Sequence, residues 1–183
     1  MLERCGGNLG GTEVLRQKFF EVKMPGRLEV MKGVKNGKKV IIDVGHNFQA
    51  IDRILESEVV RDCKQVRLVY GSKSGRDLRA IFGLFSNSIC EEIYFVGSGV
   101  GGTMKTGEFV AQAKGCGFAG YKILFDGEIK GTLDHLVSQK DSDSLILVVG
   151  SFSIMQETRS FFGIEDETDA FDMNEGPMVV LNH

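Results

Sequence analysis

Short apolar runs that alternate with stretches of helical spacing fix most of what this chain can fold into. Runs rich in β-branched or aromatic residues fall at positions 38–44, 66–70, 93–96, 121–125 and 145–149. Between them, residues 77–85, 106–114, 127–139 and 152–162 carry apolar side chains three and four apart, the period of a helix laid against a sheet. Strand and helix in regular alternation predict a parallel sheet covered on both faces. A further extended run at 27–32 is joined to 38–44 around Asn36-Gly37, a dipeptide that supplies the positive φ of a hairpin turn. The predicted fold is therefore α/β: a Rossmann-like, mostly parallel six-stranded sheet, with one antiparallel edge strand from an N-terminal hairpin and helices on both faces.

Within that frame the stretch Val40-Ile41-Ile42-Asp43-Val44-Gly45-His46-Asn47 reads as strand, turn and helix start. Asn47 is a natural N-cap for a helix marked by Phe48, Ile51 and Leu55. Asp43 and His46 then stand at the carboxyl end of a strand, where open α/β sheets bind ligands beside the N–H groups of a helix start. An ordinary βα turn also favours Asp, Gly and Asn, so the spacing alone leaves both readings open.

The flanking residues separate them. Pro25-Gly26-Arg27 precedes Asp43-Val44-Gly45-His46-Asn47, Leu68-Val69-Tyr70-Gly71 leads to Arg76-Asp77-Leu78, and Val148-Val149-Gly150-Ser151 closes the series. In this order the four pieces resemble the C-terminal domain of the folylpolyglutamate synthase and dihydrofolate synthase family, within the Mur ligase superfamily. The likeness spans residues 13–162. It departs from the family pattern at Val44-Gly45, where Gly-Ala is usual, at Phe48, where proline is usual, and at Gly75-Arg76, where an acid and a lysine are usual.

The resemblance implies an ATP-dependent ligase that joins glutamate to a folate through an acyl phosphate. The chain would be its C-terminal, ligand-contacting domain, with ATP and magnesium as cofactors. The P-loop and the magnesium ligands would lie in an N-terminal partner domain, and this domain alone would be inactive. Arg27, Asp43 and His46 would contact ATP. Arg27 would reach the phosphates through its planar fork, and Asp43 would meet a ribose or orient a neighbouring basic group. His46, Arg76 and Ser151 would hold the glutamate. Asn47, Ser72, Lys73 and Asp77 are secondary candidates, and no metal ligand is expected here. Each also has a plain structural reading, as a turn residue, a cap or a solvated charge.

Gly97-Ser98-Gly99-Val100-Gly101-Gly102 matches the glycine pattern of dinucleotide-binding loops and lies between a strand and a helix, with Asp126 after the next strand. Taken alone it suggests an NAD(P)-binding domain. Against that, it follows the fourth strand rather than the first, and Thr103-Met104-Lys105 delays the helix. Met104 also occupies the place where a P-loop needs glycine. A non-catalytic module that binds a nucleotide or a protein partner is a third reading.

Composition bounds the rest. Hydrophobic residues make up 42% of 183, enough for one good core. A net charge of −3 without any lysine or arginine run argues against a nucleic-acid surface, and no apolar stretch is long enough to span a membrane. Cys5, Cys63, Cys90 and Cys116 show neither metal-ligand nor disulfide-framework spacing, so reduced thiols in the cytoplasm are expected. Residues 1–11 read as a linker or chain end and 12–183 as one domain. Thr12 would cap a short helix stopped by Pro25-Gly26. An acidic tail at 163–176 precedes an apolar edge segment.

Overall fold

The computed structural model describes residues 26–31, 34–98, 101–122, 124, 127–140 and 144–164. Among them, β1 (Glu29–Val30), β2 (Lys39–Asp43), β3 (Gln65–Gly71), β4 (Cys90–Phe95) and β5 (Ser144–Gly150) form one sheet in the order β1-β2-β5-β3-β4. β1 runs antiparallel to β2 and the remaining pairs are parallel. The helices are α1 (Phe48–Leu55), α2 (Glu58–Arg61), α3 (Arg79–Ser86), α4 (Thr106–Gly115), α5 (Ile129–Ser138) and α6 (Phe152–Phe161).

The alternation of side chains along each strand divides the core into two layers. Ile41, Leu68, Tyr70, Phe95, Leu145, Leu147 and Val149 face α1 to α4. Val40, Ile42, Val69, Tyr94, Ile146 and Val148 face α5 and α6. All seven residues of β5 are buried, as expected for a central strand covered on both sides; each large aliphatic side chain so placed contributes roughly 1.5–3 kcal/mol. On the first face an aromatic cluster locks α4 to the sheet. Phe109 stacks on Phe95 at 4.7 Å, and Tyr70 meets Phe109 edge-on at 6.2 Å.

Strand order now places the functional end. β5 is inserted between β2 and β3, yet the helix after β5 packs on one face and the helices after β2 and β3 pack on the other. Such a reversal opens a crevice beyond the strand carboxyl ends. Here the crevice is bordered by residues 43–47, 71–77 and 150–151.

Several expectations need correction. The sheet has five strands among the described residues, not six. Of residues 121–125, Lys122 alone forms a bridge, parallel to Tyr94, and residues 123 and 125 lie outside the description. Farther on, past Gly127 with φ of +80°, Glu128 bridges to Gly97, again in parallel, so among the described residues the pairing beside β4 and its continuation consists of isolated bridges. β1 is two residues long, Met31 N donates beyond it to Val40 O at 2.9 Å, and residues 32 and 33 lie outside the description. Asn36 and Gly37 both take positive φ, +60° and +69°, as the hairpin reading requires. The helix at Thr12, the tail beyond Ile164 and Asp126 lie outside the described residues.

The carboxyl ends of β3 and β5 touch through glycine. Gly150 has φ of +128°, and a methyl group there would lie 1.9 Å from Gly71 O. Gly150→Ala should therefore cost about 3 kcal/mol or more, from backbone strain and overpacking together. Urea unfolding followed by circular dichroism checks this, with an unchanged denaturant slope expected for a loss of stability alone.

Candidate functional site

Asp43 is the organising residue of the first turn. It ends β2 and is 4% exposed, and both of its oxygens serve the backbone. Oδ2 accepts from Leu28 N at 2.9 Å and Oδ1 from Gly45 N at 2.7 Å. Val44 N also donates to Gly26 O at 2.7 Å. The turn that carries Arg27 is thereby tied to the turn that carries His46. Leu28 is kept at φ of +41°, a conformation that non-glycine residues adopt only when neighbours impose it. From the other side, buried Arg159 pairs with Glu29, whose carboxylate accepts from Gly26 N.

Arg27 lies 3.6 Å from Asp43 Oδ1 with its side chain 55% exposed. Such a contact orients a guanidinium without neutralising it. A cavity of about 330 Å³ opens beside it, lined by Arg27, Leu28, Asp43, Ala50, Arg53 and Ile54. Arg53 is a second cation at this cavity that sequence reasoning missed. Its position in the last turn of α1 gives it an ordinary reason to be basic. The available signal was its place six residues beyond Asn47, on the helix that the Asp43-to-Asn47 motif opens.

Gly45 accounts for one departure from the resembling pattern. A methyl group there, as alanine would bring, would meet Ile54 Cδ1 at 2.6 Å, Asp43 Oδ1 at 3.0 Å and Ala50 Cβ at 3.2 Å. In this chain α1 and the Asp43 carboxylate occupy that space. Phe48, at the usual proline position, is the first residue of α1 and is exposed; its amide lies among the helix-start donors that need no intrahelical partner, so either residue fits there.

His46 is exposed, with Nδ1 2.9 Å from Val44 O. A carbonyl only accepts, so Nδ1 carries the proton, and in the neutral ring Nε2 is left as an acceptor. Neutral His46 thus suits a ligand hydroxyl or amine, and only its imidazolium would donate to a carboxylate. Asn47 spends its Oδ1 on Ala50 N at 2.8 Å, the cap anticipated from sequence. Arg76 reaches across from the loop after β3 and donates to His46 O at 2.6 Å.

The remaining candidates fall around this loop. Ser72 is 1% exposed and its hydroxyl has no hydrogen-bond partner among the described residues, a state shared by the Tyr70 phenol. Burial raises the Tyr70 pKa above its ordinary value, against the opposing influence of Ser72 and of the Arg76 charge. Lys73 is exposed and bridges antiparallel to Thr103. Asp77 turns to Arg79, accepting from its backbone N at 3.0 Å and its Nη2 at 2.6 Å. Ser151, 6% exposed, donates its N–H to Gly71 O at 2.8 Å, and its hydroxyl pairs with Ser153 at 3.0 Å. The structure therefore joins Arg27 to Asp43 and Arg76 to His46. Ser151 stands beside Ser72 through Gly71 and has no hydrogen bond to Arg76 or His46.

The glycine-rich loop does something other than its pattern suggests. Its described part zips onto the Arg76 loop: Ser74 N donates to Gly102 O at 2.9 Å and Met104 N to Ser72 O at 2.7 Å. Among the described residues no group of three His, Cys, Asp or Glu side chains is placed to hold a metal ion. No described helix is long and apolar enough to cross a membrane. Cys63, Cys90 and Cys116 are free thiols.

With this geometry in view, the chain can be set beside known proteins. The family described as Mur ligase, glutamate ligase domain matches residues 26–152. The chain belongs to that family. The L-lysine ligase of UDP-N-acetylmuramoyl-L-alanyl-D-glutamate from Streptococcus pneumoniae is 33% identical over 86 residues, covering 46% of this chain and 17% of that protein. A bifunctional folylpolyglutamate synthase/dihydrofolate synthase from Yersinia pestis, complexed with AMPPNP and Mn ion, superposes with a TM-score of 0.64 at 19% identity. That match covers 81% of this chain and 33% of the enzyme. A structure of a bifunctional enzyme of the same name, with Mn, AMPPNP and L-glutamate bound, gives 0.65 at 19%, covering 81% of this chain and 34% of that one. This glutamate ligase domain thus spans about a third of the length of these solved enzymes.

Two predictions follow from the way the turns are held. Asp43→Ala leaves the Leu28 and Gly45 amides without their acceptor and should cost about 3 kcal/mol in chemical denaturation, with Asp43→Asn costing less because one acceptor oxygen remains. Hydrogen bonds from Arg79 lower the Asp77 carboxyl from 3.8 to about 2. A depressed carboxyl stabilises the fold above its unfolded value, and that contribution is lost as pH falls through about 2. A carbon-detected NMR titration should place the Asp77 midpoint there, and Arg79→Ala should return it toward 3.8.

Proposed function

We propose that this domain is the C-terminal, ATP- and glutamate-contacting part of a folylpolyglutamate synthase, an enzyme that lengthens a folate by amide ligation of glutamate. One observation carries the reading: two cationic positions stand at one end of the sheet, on different turns, each held by main-chain contacts. Arg27, with Arg53 across a cavity of about 330 Å³, suits the phosphates of a nucleotide, since guanidinium groups pair with phosphate through two parallel bonds. Arg76, seated on the His46 carbonyl, suits a carboxylate of glutamate. His46 stands on the turn that Asp43 ties to the Arg27 turn and that Arg76 reaches through its carbonyl, and Ser151 and Ser72 line the neighbouring strand ends.

ATP, when bound, supplies the phosphoryl group that activates the folate carboxylate. This chain's own residues would hold the phosphates at Arg27 and Arg53 and keep the amine of glutamate aimed by fixing its carboxylates. Magnesium belongs, on this reading, to ligands of the partner P-loop domain. The domain alone is then inactive, because neither the phosphate cradle nor the metal ligands are its own.

The partial identity with an L-lysine ligase raises a second substrate, lysine. Chemistry favours glutamate: a guanidinium at Arg76 attracts a second carboxylate and repels a side-chain ammonium.

In the parent enzyme, Arg76→Ala should raise the KM for glutamate about 10- to 150-fold while leaving that for ATP near wild type, as expected for one lost charge-assisted bond of roughly 1.5–3 kcal/mol. Arg27→Ala should do the reverse. Steady-state kinetics with each substrate varied in turn decide the matter, and equal losses for both substrates would sink the assignment of separate pockets.

A further inference from the structure

We infer that Gln112, on α4, is a positioning residue for Arg76, and that through it α4 sets the carboxylate-binding loop against the His46 turn. The inference rests on the proposed function only for the identity of the ligand. Its geometric basis is a pair of bonds from one side chain. Gln112 Nε2 donates to Arg76 O at 2.7 Å, and Gln112 Oε1 accepts from Leu78 N at 2.9 Å. One amide thus brackets the backbone on both sides of Asp77 and leaves residues 76–78 little freedom to rotate.

A second brace lies one turn earlier on the same helix. Glu108 accepts from Gly75 N at 2.7 Å and from Ser74 Oγ at 2.9 Å. Between these two braces stands Phe109, 1% exposed and stacked on Phe95, so the helix that supplies them is fixed to the sheet. Without the braces, the stretch between Ser74, bonded to Gly102 O, and buried Leu78 would be largely unheld, with Gly75 at φ of +75°. With them, Arg76 has its backbone held from α4 while its guanidinium donates to His46 O at 2.6 Å.

The consequence is a division of tasks within Arg76. Its backbone and one Nη serve to place it, and its remaining donors have no partner among the described residues. A cavity of about 420 Å³ lies against the loop, lined by Gly75, Arg76, Asp77, Arg79, Gln112 and Cys116 among others. Gln112 is itself partly buried at this wall. It acts on a carboxylate ligand through Arg76, by removing the entropy that Arg76 would otherwise lose on binding.

The test uses the 183-residue chain with Gln112→Met, which removes both bonds, and Gln112→Glu, which keeps the acceptor for Leu78 N but loses the donor to Arg76 O. Arg76→Ala and the double variant with Gln112→Met complete a cycle. Amide exchange at Leu78 and the Arg76 Nε–Hε resonance report the brace without any ligand. Chemical-shift titration with L-glutamate reports its use.

Gln112→Met should speed Leu78 exchange at least about tenfold relative to the β5 amides, which are unchanged, and should shift the Arg76 Nε–Hε signal. Gln112→Glu should shift the Arg76 signal with Leu78 still protected. Glutamate affinity should fall about tenfold in Gln112→Met, and adding that change to Arg76→Ala should lower it no further. The inference is overturned if Arg76 and Leu78 are unmoved in Gln112→Met, or if Gln112→Met keeps its full effect on glutamate in the Arg76→Ala background. If the brace signals respond as expected but wild type and Arg76→Ala are equally indifferent to glutamate, the positioning role stands and the glutamate reading of the pocket fails.

Discussion

The whole strand-carboxyl end of the molecule depends on β5 being buried between β2 and β3. A strand covered on both faces accepts no polar side chain along its length without a buried partner. Its sequence Leu145-Ile146-Leu147-Val148-Val149 meets that demand. The strand can then deliver Gly150 to a point where a side chain would strike Gly71 O. That contact brings the ends of β3 and β5 together, and Ser151 N donates to Gly71 O across it. Because α6 departs to one face while α1 and α3 depart to the other, the space beyond these ends stays open. The crevice is a result of strand order, and the side chains that use it were placed on turns the sheet had already fixed.

Asp43 illustrates how a carboxylate can serve a site without facing a ligand. A charged oxygen that accepts a backbone N–H makes a stronger bond than a neutral one, and Asp43 makes one with each oxygen. The two turns it joins come from strands of opposite direction, β1 and β2. Arg27 gains its orientation from this arrangement and keeps an incompletely neutralised charge. The contact with Arg27 lies beside a cavity that Asp43 also lines.

The strands and helices were legible because their periodicity is a direct record of burial. Val40 and Ile42 face one layer and Ile41 the other, and no reading of that run other than a doubly covered strand accommodates all three. Asn47 as a cap and Asn36-Gly37 as a positive-φ turn were legible for a related reason, since each satisfies a local backbone requirement. At 121–125 the described residues show a parallel bridge at Lys122 rather than a continuous strand, because an apolar run does not reveal how many of its backbone groups will find a partner. Glu108 and Gln112 were illegible for a different reason. Their partners lie on other elements, Gln112 with Arg76 and Glu108 with Ser74, and no local spacing encodes a contact made across the top of the sheet.

The glycine loop shows why the same pattern need not mean the same chemistry. A dinucleotide fingerprint works when the last glycine opens directly into a helix, so that free N–H groups meet the pyrophosphate. Here three residues intervene, and the first two are already committed. Thr103 Oγ1 accepts from Ser98 N at 3.1 Å and Thr103 bridges to Lys73, while Met104 N is bound to Ser72 O. The segment therefore supports the loop after β3. That support explains how arginine can stand where the resembling family has lysine. A lysine has one point charge, so a bond to the His46 carbonyl would turn that charge away from an incoming carboxylate. An arginine has five donors in a rigid plane. Arg76 can give one to His46 O, have its backbone held by Gln112, and still present the rest of its fork to the crevice.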